Sequence, residues 1–278
     1  MKKIFRKQNG VSLIELLVAL VISTVLIAAI YRTFIGQQKT YMVQEQIVDI
    51  QQNVRFAVSS MMKEIKMAGF GNIAMILPGG LNINGTNYTN IVNPDTPAAN
   101  ALTILSGANT GSTLTIEGGV NQSQIVVSTL TDTQGNQLFD TNSKKYISIG
   151  GVESNIISSI DSGTKTLTLT NPLTFKHIVG TPVFTIRALT YQVVVENGIP
   201  VLMRDDGGGN QPEADSIETL QFQYLDADGN VTATPANIRI IRVSLTARTN
   251  IQDSDYKDGG GYRRRQIASN IHLRNMGI

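Results

Sequence analysis

The chain has 278 residues, of which 41% are hydrophobic and 16% charged, the balance of a folded protein, so disorder is excluded as its default state. It contains no cysteine and no tryptophan, which rules out disulfides and thiolate metal sites and argues against an aromatic stacking platform for single-stranded nucleic acid. Four cations (Lys2, Lys3, Arg6, Lys7) lie ahead of Gly10, and without them 19 Lys+Arg face 21 Asp+Glu, so the net charge of +2 belongs to the N-terminus and nucleic acid is not indicated as a partner.

The run "VSLIELLVALVISTVLIAAI", Val11 to Ile30, carries one charge, Glu15. As a helix it would be about 30 Å long at ~1.5 Å per residue, the thickness of a bilayer's hydrocarbon core. Cations precede it and only Arg32 and Lys39 follow closely. The positive-inside rule then places residues 1–10 in the cytoplasm and everything after Tyr31 outside. A cleavable secretory signal fits poorly, because the "IAA" at Ile27 to Ala29 puts isoleucine where a small residue is needed. A plain signal anchor leaves Glu15 unexplained, since a carboxylate facing lipid costs about 2.5 to 3.5 kcal/mol at the bilayer centre and less toward its edge.

Between Tyr31 and Ala68 there is no proline, and Ile47, Ile50, Val54, Val58, Met61, Ile65 and Ala68 recur at helical spacing. That seam predicts one helix of about 55 residues, roughly 85 Å long. Glu45, Asp49 and Arg55 fall on other faces. Gly69 and Gly71 are the expected stop, and Gly36 the expected weak point at about 1 kcal/mol relative to alanine.

The N-terminus resembles the class III signal of type IV pilins and type II secretion pseudopilins. A basic leader ends in Gly10, and Val11, Ser12, Leu13, Ile14 and Glu15 follow in the family's order. The resemblance implies cleavage between Gly10 and Val11 by a prepilin peptidase, N-methylation of Val11, and Glu15 as fifth residue of the mature chain. Cleavage would create a cationic α-amino group on Val11, and methylation would keep its charge. A buried carboxylate is tolerable when paired, so Glu15 is expected to meet the amine of a neighbouring subunit and direct assembly. Many major pilins carry a proline about twenty-two residues into the mature chain; here Arg32 stands there, which puts the associated kink in doubt.

Beyond the helix the composition changes. Asn, Thr, Gly and Ser dominate 82 to 123, read as a polar excursion with short strands. Alternating or β-branched runs follow: "TLTIE" (113–117), "QIVVSTL" (124–130), "KYISIG" (145–150), "TKTLTLT" (164–170) and "VFTIRALTYQVVVE" (183–196). The C-terminal part adds "IPVLMR" (199–204), "IETLQFQYL" (217–225), "IRIIRVSLTART" (238–249) and "RQIASNIHLRN" (265–275). These predict antiparallel sheet, with Asn197-Gly198 as the best hairpin turn and a second turn at Asp226 to Asn230.

The order "YQVVV" (Tyr191 to Val195), hairpin, "LMR" (Leu202 to Arg204), acidic glycine loop, "SIETLQFQYLDADG", "IRIIRVSLTART" and "YRRRQIASNIHLRN", with "MMKEIKMAGFG" (Met61 to Gly71) at the helix end, resembles PilW-type minor pilins. Their C-terminal β-domain is comparable to that of J-type pseudopilins. Residues 73 to 180 have no assigned counterpart.

Enzyme chemistry has little to build on. His177 and His272 are the two histidines, far apart and outside metal-ligand spacing, and both are read as solvated strand residues. "GANTGST" (Gly107 to Thr113) lacks the spacing and lysine of a phosphate loop and is read as a loop. No Gly-x-Ser-x-Gly elbow occurs. Two acidic loops, "RDDGGGNQPEAD" (Arg204 to Asp215) and "DADGN" (Asp226 to Asn230), are weighed for a cation. Asp226 and Asp228 alternate as in a calcium loop but lack the closing glutamate. The run Arg263 to Arg265 is read as a solvated strand edge.

The sequence therefore predicts an α+β, pilin-like chain: a basic leader at 1–10, a transmembrane assembly helix at 11–31, its amphipathic continuation at 32–70 and an exported β-rich head at 71–278. The expected function is a minor pilin that primes assembly or sits at the tip of a type IV pilus, not an enzyme. Its expected partners are other minor pilins, the major pilin, the prepilin peptidase and the inner-membrane assembly platform. It would be a single-pass inner-membrane protein, N-terminus inside, before assembly, and on the pilus afterwards. The alternatives are a J-like type II secretion pseudopilin, or a signal-anchored exported binding domain or enzyme.

Overall fold

The computed structural model describes residues 10–95, 100–253 and 255–276. The basic leader at Lys2 to Lys7 lies outside the described residues. The chain divides into two compact units, Met1–Asp49 and Ile50–Ile278.

The first unit is helical. Helix α1 runs from Leu13 to Ile65 and passes unbroken through Arg32 and Gly36. With no proline to remove an amide, nothing interrupts its hydrogen-bond ladder. Thr24, Thr33 and Thr40 turn their hydroxyls back onto the carbonyls of Leu20, Ala29 and Gly36, at 2.7, 3.0 and 2.9 Å, so these polar groups are satisfied within an apolar helix.

In the second unit the end of α1 is the spine. Ile50, Val54, Ala57, Val58, Met61 and Ile65 are buried, as the helical seam requires, and Arg55 is exposed. The α-helix ends at Ile65, short of the predicted glycines. Met67 and Ala68 tighten to i→i−3 bonds on Glu64 and Ile65, and the Gly69 amide then leaves for the Leu105 carbonyl at 2.9 Å. Gly69 holds φ +80, and a Cβ there would collide with the Asn275 carbonyl. The glycine thus admits a strand and a C-terminal turn against the helix end.

Fourteen strands follow among the described residues. They are β1 (Leu81–Ile83), β2 (Thr86–Tyr88), β3 (Val92–Pro94), β4 (Ala101–Thr113), β5 (Gln124–Val126), β6 (Tyr146–Ile149) and β7 (Glu153–Asp161). The chain continues with β8 (Thr166–Leu169), β9 (Pro182–Glu196), β10 (Ile199–Asp205), β11 (Gln211–Asp215), β12 (Ile217–Leu225), β13 (Ile240–Arg248) and β14 (Arg264–His272). All named pairings are antiparallel. β9 organises a nine-stranded sheet: β10 and β6 share one of its edges, and β4 occupies the other. β12, β13 and β14 form a separate three-stranded sheet.

Asn197 and Gly198 both have positive φ, +51 and +82, and Glu196 pairs with Ile199 across them, giving the predicted two-residue hairpin. Three strand readings change. "GANTGST" is not a loop: it is the second half of β4, paired with β9 as far as Pro182, with a bulge between Asn109 and Ser112 that takes up Thr110 and Gly111. "TLTIE" is not a strand, since Thr113 closes β4 and Leu114 makes a lone bridge to Val127. Glu153 to Asp161, unmarked by strong alternation, is β7.

Two apolar cores result. The larger joins the buried stripe of α1 to Leu102, Leu189 and Leu202 of the large sheet and to Phe222, Val243 and Ile271 of the small one. The second, around Leu114, Ile125, Phe139, Ile147, Leu167 and Val183, belongs to the segment inserted between β4 and β9.

Candidate functional site

The first candidate site is the start of α1. Gly10 has nothing within 4 Å of where a Cβ would be, and Val11 is exposed. Ser12 is the residue before the helix. Its amide donates to Glu15 Oε2 at 2.9 Å, and the Glu15 amide donates to Ser12 Oγ at 3.3 Å. This reciprocal pair is a capping box, a structural function of Glu15 that the spacing Ser12-x-x-Glu15 encodes and the reading of the sequence did not assign. Glu15 therefore already has a partner within its own chain. Val11 and Leu16 occupy the flanking positions at which a hydrophobic staple forms.

From Leu13 to Ile30 the large apolar side chains are mostly 50 to 80% exposed, for instance Leu13 at 81% and Leu20 at 67%. An 18-residue window of this helix has mean hydropathy 2.8, and none of it is buried. By length and composition it is sufficient to cross a bilayer.

The second cluster lies at the other end of α1. Glu64 projects from the last turn, and Arg204 of β10 grips it with two bonds, Nε to Oε2 at 2.9 Å and Nη2 to Oε1 at 3.0 Å. Tyr191 of β9 donates its hydroxyl to Glu64 Oε2 at 2.5 Å, and Arg187 Nη2 lies 3.4 Å from Oε1. Asp206 closes the ring by accepting from Arg187 and Arg204 at 2.9 and 3.1 Å. Burial alone would raise the Glu64 pKa, but the hydrogen bonds from Arg204 and Tyr191 and the charges of Arg204 and Arg187 outweigh it and hold the carboxyl below its ordinary 4.5. Burial, then the bond to Glu64, pushes the Tyr191 phenol up. Arg204 is only 14% exposed and both carboxylates are held by charge-assisted bonds, so the ring fastens helix to sheet, with Arg187 Nε left as a buried donor for which no partner is found among the described residues.

The histidines part company. His272 is a solvated strand residue on β14. His177 is buried, contrary to expectation, with Nε2 at 2.9 Å from Glu153 Oε2. Glu153 also accepts the amides of Thr174 and Phe175, at 2.6 and 3.1 Å. The pair ties the strap leading into β9 to the start of β7.

The acidic loops use their carboxylates internally. Asp226 Oδ1 accepts the amides of Asp228 and Asn230 at 3.0 and 2.8 Å, and Asp205 Oδ1 accepts those of Gly207 and Gly209 at 2.8 and 3.1 Å. Among the described residues no group of three or more His, Asp or Glu is gathered as for a metal ion. The arginine run is not simply solvated: Arg263 pairs with Asp253 and Arg264 with Glu218, at 2.8 and 2.5 Å, and Arg265 stays exposed.

Glu64, Arg187 and Asp206 carried no mark in the sequence as a set. Glu64, Tyr191 and Arg204 sat inside three separately noted stretches, "MMKEIKMAGFG", "YQVVV" and "LMR"; that they meet is a tertiary fact.

A family profile described as the prokaryotic N-terminal methylation motif matches residues 5–31. The match supports a prepilin- or pseudopilin-type N-terminus, processed by a prepilin peptidase, on a membrane-anchored chain. No curated protein and no solved structure matches the chain.

Proposed function

We propose that the chain is a minor pilin: a prepilin held in the inner membrane by α1, cut between Gly10 and Val11, methylated on Val11 and assembled into a type IV pilus with its β-rich head presented outward. The observation that carries this reading is the methylation motif at the head of an apolar helical span, none of whose 18-residue window is buried. Such a helix needs lipid or other helices around it. The role is structural rather than catalytic, and the head's bulk favours a low-copy place in a priming or tip complex with other minor pilins and the major pilin.

Glu15 has two successive partners in this scheme. In the precursor the capping box holds it. After cleavage the box survives, because Ser12 and Glu15 both lie on the mature side of the cut, and the carboxylate's second oxygen is available to the Val11 amine of a neighbouring subunit. Pairing of this kind rewards correct axial register and penalises misfits.

Mass spectrometry of the mature N-terminus is the decisive experiment. A chain beginning at N-methylated Val11 is the expected result; an intact Met1 would overturn the assignment. Recovery from purified pili below the level of the major subunit is expected next. Recovery with secretion-channel components instead would make it a type II secretion pseudopilin.

A further inference from the structure

The three-stranded sheet has two edge strands, β12 and β14, and β14 is the straight, unbulged one. β14 pairs with β13 along its whole length, Ile240 opposite His272 through Arg248 opposite Arg264. The bonds at the two ends fix which way its backbone faces: Thr249 donates to the Arg263 carbonyl and Leu273 to the Arg239 carbonyl, both at 2.9 Å. Odd-numbered residues of β14 therefore bond to β13, and the amides and carbonyls of Arg264, Gln266, Ala268, Asn270 and His272 point away from the sheet. No backbone partner is found for these outward groups among the described residues.

An open edge is a liability that folded proteins usually blunt. Elsewhere in this head it is blunted. β12, the other edge of the same sheet, is bulged between Ile217 and Thr219, carries Glu218 and is covered at its end where the Thr232 amide donates to the Tyr224 carbonyl. β11 and β3 contain Pro212 and Pro94, and β5 is three residues long. β14 has nine residues, no proline and no bulge, and from Gln266 to Ile271 no charge. Its helix-side face carries Ile267, Ser269 and the fully buried Ile271, with Ser269 Oγ touching Met62 of α1. Its other face, Gln266, Ala268, Asn270 and His272, is exposed. At the open end stands Arg265, for which no ion pair is found among the described residues, whereas Arg263 and Arg264 have theirs.

The geometry points to β14 as a docking edge for an extended strand from a different polypeptide, which adds to the small sheet by backbone hydrogen bonds. Five outward residues offer a ladder for a partner segment of similar length. The partner's alternate side chains are apolar where they continue the Ile267 face and polar on the other, and it carries an acidic residue near Arg265. Charge gives a second copy nothing: an antiparallel pair of β14 strands centred on Ala268 would set Arg265 opposite the other copy's Ile271 and offer it no carboxylate. This goes beyond the pilin reading and does not rest on it.

The test uses the full-length chain in the cells that make it, with a photo-crosslinking amino acid at Ala268. The expected product joins Ala268 to a peptide of another protein with alternating apolar and polar residues. Asn270→Pro removes an outward amide without touching the β13 ladder and is expected to lower the yield about tenfold, with the melting temperature unchanged. Arg265→Glu, which leaves the backbone alone, is expected to lower it at least about threefold. No crosslink, a crosslink to lipid or to a second copy of this chain, or a yield that survives both substitutions would overturn the proposal. N-terminal mass spectrometry on the same preparation reads processing separately, so failure here and failure of the pilin assignment are distinguishable.

Discussion

Glu64 is one carboxylate answering three donors, and its depressed pKa has a consequence with a definite sign. A group whose folded pKa lies below its unfolded value adds stability above the unfolded value and loses it as pH falls through the folded one. The head is therefore expected to lose the contribution of Glu64 below about pH 4.5. Glu64→Gln leaves Arg204 and Arg187 underpaired in a half-buried setting and is expected to cost about 2 kcal/mol at neutral pH, or about 6 °C in melting temperature. It should also flatten the acid limb of the stability profile; acid titration followed by circular dichroism reads both. Glu153 is more sheltered. Glu153→Ala strands two amides and the His177 ring in a buried site and is expected to weaken the inserted segment by about 3 kcal/mol, seen as faster hydrogen exchange between Leu114 and Thr181. In the proposed pilin the role of Glu15 lies in assembly, so Glu15→Ala is expected to leave the head's melting temperature alone and to lower incorporation into filaments. Co-assembly at wild-type level would remove its proposed role.

Among the elements, α1 and the β9–β10 hairpin were legible because their signals are local. The seam from Ile50 to Ile65 repeats at helical spacing and is buried residue for residue. Asn197-Gly198 satisfies a turn that demands positive φ at both positions. Gly198 has open space around a would-be Cβ, so Gly198→Ala tests conformation alone and is expected to cost about 1 kcal/mol by chemical denaturation. β4 was not legible as one strand: it lies in the tract 82 to 123 read as a polar excursion with short strands. Its glycines and asparagine have weak strand preference, and only the long partner β9 holds them extended. At the end of α1 the predicted glycine acts as expected: tighter turns carry the chain from Ile65 to Ala68, and Gly69 takes the left-handed conformation at φ +80, while its amide is claimed by Leu105, distant in sequence, which no local pattern announced.

For the whole molecule, the two compact units differ in what surrounds them. Ile50–Ile278 contains both apolar cores, whereas among the described residues of the first unit none belongs to either core. A chain beginning at Ile50 is expected to remain folded and monomeric without detergent, and the full chain is expected to require detergent; size-exclusion chromatography of the two distinguishes them. The sequence by itself determined the apolar span, the methylation motif that heads it and the antiparallel character of the C-terminal strands, because each is written in residues within a few positions of one another. Only the tertiary structure decided that Glu64, Tyr191, Arg187, Arg204 and Asp206 form one ring, that His177 is buried on Glu153, and that β14 ends a sheet with its backbone open. Those arrangements join residues that are far apart along the chain, and no local pattern encodes which of many polar side chains will meet.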